Sequence, residues 1–111
     1  MADIFVLRWG HGQTNVDFFQ VLQAAAQTVV IRRLNSHFTK KPEFKSNEGL
    51  VTARANDFDT STNLAVFGAG RPVRKKVSSV SGQPALTFNM GRYCPIAVKW
   101  DGNPIRESRG Y

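Results

Sequence analysis

The sequence predicts an all-β domain, a small SH3-like or partly open β-barrel of about five to six strands, with room for one short helix over residues 16–26. Three observations carry this expectation. Branched and aromatic residues gather in short runs, among them Ile4-Phe-Val-Leu7, Thr28-Val-Val-Ile31 and Ile96-Ala-Val-Lys-Trp100, which suit a pleated, half-buried backbone. Turn chemistry punctuates the intervals, as in Ser81-Gly-Gln-Pro84 and Asp101-Gly-Asn-Pro104, where glycine and proline set backbone angles that a strand does not use. The length of 111 residues serves one core and not two. Residues 1–111 are therefore read as a single domain, and multidomain enzymes are excluded.

Residues 3–9 read as the first strand, stopped by the loop Gly10-His-Gly-Gln-Thr-Asn15. Residues 16–26 are two-sided: Phe18, Val21, Leu22 and Ala25 recur at helical spacing, whereas Phe19, Gln20 and Val21 suit a strand, and three alanines favour helix by propensity. A hairpin is preferred here, because residues 28–34 are a clear strand and a turn near residues 25–27 supplies the pairing partner. Residues 35–48 are polar, contain Pro42 and lack a sustained apolar period, so they read as a loop with room for a short extended piece. Strands follow at residues 50–55, 64–67, 71–80, 85–90 and 96–100, with an acidic turn at residues 56–63 and a Gly68-Ala-Gly70 break. Residues 105–111 read as a frayed tail.

Charge narrows the class of partner. Fifteen Lys and Arg face eight Asp and Glu, a formal net charge of +7, while the 41% apolar and 21% charged fractions are those of a folded domain. Such a surface attracts acidic partners. Cys94 is the one cysteine, so no internal disulfide forms and a reducing, cytoplasmic setting is expected. The N-terminal apolar run is too short and wrongly flanked for a leader or a membrane span. No cofactor motif stands out, and one cysteine with His11 and His37 makes no zinc-ligand set.

Gln13-Thr-Asn-Val-Asp-Phe18, Thr28-Val-Val-Ile-Arg32, Gly70-Arg-Pro-Val-Arg-Lys-Lys-Val77 and Trp100-Asp-Gly-Asn-Pro104 occur in an order and spacing that resemble those of small uncharacterised proteins encoded by bacteriophages and other mobile elements. The resemblance spans most of the chain. It implies provenance and a host-cell cytoplasm as the place of action, and it transfers no catalytic or binding residue.

The strongest charge cluster is Arg71-Pro-Val-Arg-Lys-Lys76. On a strand, Arg71, Val73 and Lys75 face one side and Arg74 and Lys76 the other. Pro72 has no N–H for a sheet ladder, so this segment is expected as an edge strand with an open side. A second block sets Arg32, Arg33, Lys40, Lys41 and Lys45 around His37, Phe38 and Phe44. Cations interleaved with aromatics suit single-stranded nucleic acid, although Phe38 and Phe44 are better read as buried anchors of a long loop. The candidate phosphate contacts are Arg32, Arg33, Arg71, Arg74, Lys75 and Lys76.

Other constellations carry less. Trp9, His11, Tyr93 and Trp100 offer an aromatic set beside Arg8, Arg92 and Lys99, but core tryptophans whose indole N–H groups reach surface partners are the plainer reading. Asp57-Phe-Asp59 lacks the ligand spacing of a calcium loop and reads as a solvated turn. His11, His37 and Lys41 contain the groups an RNA-cleaving enzyme needs, yet nothing in the sequence brings them together. Cys94 reads as a buried, inert thiol, and the two glycine-containing loops lack a phosphate-loop signature. The expected function is a non-enzymatic nucleic-acid-binding module that contacts phosphates of single-stranded DNA or RNA. The alternative is an interaction module that captures an acidic surface on a host enzyme or defence complex.

Overall fold

Strand pairing leaves two raw edges on any open sheet, and this chain removes most of that edge by closing six strands on themselves. The computed structural model describes residues 3–9, 15–40, 48–60, 71–88 and 94–108. They form β1 (Ile4–Trp9), β2 (Asn15–Ala24), β3 (Thr28–Lys40), β4 (Glu48–Phe58), β5 (Val73–Val80), β6 (Gln83–Thr87), β7 (Ile96–Lys99) and β8 (Ile105–Ser108). No helix occurs among the described residues. All pairings are antiparallel, and β1–β2–β3–β5–β6–β7 returns to β1 as a barrel-like ring. β4 pairs with the outer half of β3 and carries β8 as a two-stranded flange.

The thirteen residues of β3 make this arrangement possible. At about 3.3 Å per residue the strand is about 43 Å long, close to the 46 Å long axis of the molecule. Its first part, Thr28–Ile31, pairs with β5, and Leu34 to Lys40 pair with β4 on leaving the ring. Residues 35–40, expected as loop, are thus strand: their polarity reflects an exposed ribbon rather than missing pairing. The described residues form eight strands where about five to six were expected, six of them in the ring. Residues 105–111, read as a tail, begin with β8 paired to β4.

Period-two alternation sorts the apolar residues into two cores. Phe5, Leu7, Phe19, Val29, Ile31, Leu86, Phe88 and Ala97 fill the ring, with Phe19 stacked on Phe88 at 4.9 Å. Their neighbours on the opposite face, Val6, Val16, Phe18 and Leu34, meet Val51, Ala53 and Ile105 of the flange, with Phe18 edge-on to Trp100 at 4.9 Å. β1 and β2 are therefore buried on both sides. A strand of that kind shows a continuous apolar run instead of alternation, which blurred the strand signal within residues 16–26. The hairpin prevails: Ala25 N–H donates to the Thr28 carbonyl at 2.9 Å.

β5 and β6 are joined by Ser81-Gly82 alone, with Val80 opposite Gln83. Both turn residues have positive φ, 53° and 78°, the left-handed pair whose twist matches flanking strands in a two-residue hairpin. β5 lies between β3 and β6, so the expected edge strand is an internal member of the ring. Pro72 precedes the strand, which resolves the missing-donor objection, and the ladder is staggered: Val73–Lys76 pair with β3, Val77–Val80 with β6.

Because Phe18 and Phe19 belong to different cores, Phe18→Ala and Phe19→Ala should each cost about 3–5 kcal/mol. Leu22, 41% exposed on the same strand, should change stability by less than about 0.5 kcal/mol when cut to alanine. Urea-unfolding midpoints of the three variants check the assignment; a loss at only one phenylalanine would contradict burial on both faces.

Candidate nucleic-acid interface

The same alternation divides the six basic residues that the sequence singled out. Arg33 shares the inward face of β3 with Val29 and Ile31, and it is engaged there: its guanidinium donates to Asp17 Oδ1 at 2.6 Å and lies 3.3 Å from Asp59 Oδ2. Asp17, buried, also accepts the Trp9 indole N–H at 2.7 Å. Trp9, Asp17, Arg33 and Asp59 thus form a polar cluster at one mouth of the ring, above Leu7, Phe19 and Ile31. Lys75 likewise turns inward, its ammonium 4.5 Å from the Phe88 ring centre and 3.4 Å from the Thr87 carbonyl that it donates to. These two cations belong to the fold.

Arg32, Arg74 and Lys76 take the outward face. Arg32 lies 4.7 Å above the Phe58 ring, where the flange ends. Arg74 stands opposite Val30 and Lys76 opposite Thr28, both exposed, as is Arg71 just before the strand. Among the described residues, Arg71, Arg74 and Lys76 make no ion pair. The register of β2 completes the wall. A bulge between Val21 and Gln23 shifts the strand by one residue, bringing Gln23 opposite Val30. A bulge reverses which side chains face out, so Gln23, Val30 and Arg74 form one row across three strands. Together with Ala24, Ala25 and Thr28 they line an open groove of about 280 Å³.

Asn56 and Asp57 of the acidic segment are engaged on the flange. Asp57 accepts hydrogen bonds from His37 Nε2 and, at 3.1 Å, from the Asn35 amide. Asn56, at a left-handed φ of 65°, exchanges two bonds with the buried Gln20: its backbone N–H donates to Gln20 Oε1 at 2.7 Å, and Gln20 Nε2 donates to its side-chain oxygen at 3.0 Å. These contacts pin the irregular stretch where β4 slips register against β3 between Leu34 and Ser36. Asp57 and Asp59 serve different partners, and among the described residues no group of His, Cys, Asp or Glu is placed to hold a metal ion.

Several other expectations are settled. Trp9 and Trp100 pack against different cores, so they form no shared platform; the Trp100 indole N–H donates to the Asn103 carbonyl at 2.7 Å. Phe38 is 43% exposed on β3 rather than a buried anchor, although its pairing partner Val51 is buried. Cys94 is exposed, not buried. His11, Lys41, Phe44, Lys45, Arg92, Tyr93, residues 64–67 and both glycine-containing loops lie outside the described residues. Among those described, no helix is long and apolar enough to cross a membrane.

Comparison with protein families, with curated proteins and with solved structures finds no match. Sequence reasoning missed Gln23, Thr28 and Val30, whose place beside Arg74 depends on the β2 bulge and on pairing across three strands. The one local signal was Thr28-Val-Val-Ile-Arg32 itself, whose alternation puts Thr28, Val30 and Arg32 on one face.

Two predictions separate structural from surface charge. Replacing Arg33 by leucine strips the buried Asp17 of its cation and should cost about 1–3 kcal/mol, at the lower end of the buried-pair range because the Arg33 side chain is 28% exposed. Arg74→Gln and Lys76→Gln should stay within about 0.5 kcal/mol of the parent; thermal unfolding compares them. The second concerns acid. The hydrogen bond from His37, then that from Asn35, holds the Asp57 carboxyl below its ordinary value of 3.8. A carboxyl depressed on folding adds stability that is whole above the unfolded value, declines as pH falls below it, and is lost below the folded value. Asp57→Asn should therefore flatten the loss of stability below about pH 4, read as the unfolding midpoint against pH; an unchanged slope would show that the pair adds nothing.

Proposed function

We propose that this protein is a nucleic-acid-binding module, and more particularly one that holds the sugar-phosphate backbone of a single strand along the outer wall of β3 and β5. The observation that carries the reading is the pair Arg74 and Lys76. Both are exposed on one face of one strand and have no carboxylate partner among the described residues, whereas Asp17, Asp57 and Asp59 are committed elsewhere. Alternate residues on a strand stand roughly 7 Å apart, a step comparable with that between phosphates of an extended strand. Arg71 continues the line at one end. Arg33 and Lys75, satisfied within the fold, leave the contact set, and Arg32 borders it.

Binding is read here without chemistry. His37 and Asp57 hold each other on the flange, and their role in pinning β4 accounts for them. An acidic protein surface would meet the same cations, and the assay below distinguishes it.

Anisotropy titrations with labelled single-stranded DNA, RNA and duplex DNA over a salt series should give affinity that falls as salt rises, since each phosphate contact releases counterions. Arg74→Gln with Lys76→Gln should lower the slope of log affinity against log salt by roughly 0.7 per cation removed. Charge reversal at both positions should weaken binding at least about tenfold without unfolding the domain. Absence of binding to any strand at low salt, with nuclease-resistant recovery of one acidic protein, would overturn the reading.

A further inference from the structure

We infer that the groove beside Arg74 is a subsite for one unpaired nucleobase, so that the wall selects single strands by taking a base out of the stack as well as by holding phosphates. The inference rests on the phosphate-binding reading and adds a ligand class to a surface that charge alone does not explain. Phosphate contact needs only protruding cations. Here Arg74 borders a concavity instead, with Ala24, Ala25 and Val30 as small apolar lining and Gln23 and Thr28 as its polar groups.

Size and chemistry agree on the occupant. An open groove of about 280 Å³ is just below the usual volume of ligand sites and has room for one flat ring. An apolar lining receives a ring face. The guanidinium of Arg74 is planar and can stack on a base as aromatic side chains do in single-strand readers, which supplies a platform where no aromatic lines the groove among the described residues. The Gln23 amide presents a donor and an acceptor side by side, the pattern that pairs with the polar edge of a base. Lys76, one pleat along from Arg74 and opposite Thr28, is placed for the phosphate of the same or the next nucleotide. In a duplex the bases stay paired and stacked, and the wall meets phosphates alone.

The test compares two probes of equal length and charge, roughly ten units long: oligothymidylate and an abasic oligodeoxyribose phosphate. The parent should bind the base-bearing strand about tenfold more tightly, the order expected for one stacked base. Gln23→Ala, which changes no charge and removes no phosphate contact, should abolish most of that difference while leaving affinity for the abasic strand and its salt slope unchanged; Arg74→Lys, which keeps the charge and loses the plane, should narrow the difference as well. Equal affinity for the two strands, or variants that weaken both alike, would overturn the base subsite and leave the phosphate reading standing. If neither strand binds at low salt, the phosphate reading falls and the subsite with it.

Discussion

The rest of the structure depends on β1 and β2 burying both of their faces. A ring of six strands encloses less space than the eight-stranded barrels whose interiors side chains just fill, and here its core is a single cluster of eight buried residues. Among the described residues that core is thin. The second cluster, built on the outside of the same strands and closed by β4 and β8, supplies the remaining apolar burial. β3 has to be long for this to happen, since it alone is shared by the ring and the flange.

Double burial leaves residues 16–20 of β2 nowhere to put a polar side chain at no cost, yet they include Asp17 and Gln20, the two polar residues buried among those described. Each is satisfied by a distant element. Asp17 joins β1 and β3 through Trp9 and Arg33, and Gln20 joins the flange through Asn56. Unpaired, either group would oppose folding by a few kcal/mol. A slip of β2 by one residue would turn every side chain to the opposite face, sending Asp17 into the outer core against Leu34 and taking Gln20 away from Asn56. The apolar run Phe18-Phe19 is nearly symmetrical between the two faces and does little to fix register; the polar pair breaks that symmetry.

This explains what could be read from the sequence and what could not. The all-β class was legible because turn residues and branched runs act locally: Ser81-Gly82 and the strand at Thr28-Val-Val-Ile31 lie where their chemistry puts them. The strand at residues 35–40 was not, because its pairing with β4 is long-range and its exposed face gives no apolar signal. For the site, the alternation within residues 71–76 correctly divided Val73 and Lys75 from Arg74 and Lys76. The fate of Arg33 was hidden, since its partners Asp17 and Asp59 lie sixteen residues before it and twenty-six after, brought together only by ring and flange. Lys75 looked as free as its neighbours because no sequence pattern announces that Phe88 will lie beneath it. The groove was invisible for the same reason: its lining comes from three strands, and the bulge at Val21/Gln23 decides which side chain faces it.

The position of the groove follows from the length of the flange. β4 ends at Phe58, over Arg32; beyond that point the outer face of β3 continues through Val30 and Thr28, with no described strand above it. An uncovered sheet face tends toward association, and small residues flanked by charge keep such a face soluble. Either sign of charge would serve that purpose: glutamates at positions 74 and 76 would solvate the wall as well as arginine and lysine do. A requirement for solubility therefore leaves the sign of the charge unexplained, whereas an anionic occupant explains it together with the concavity that the cations border.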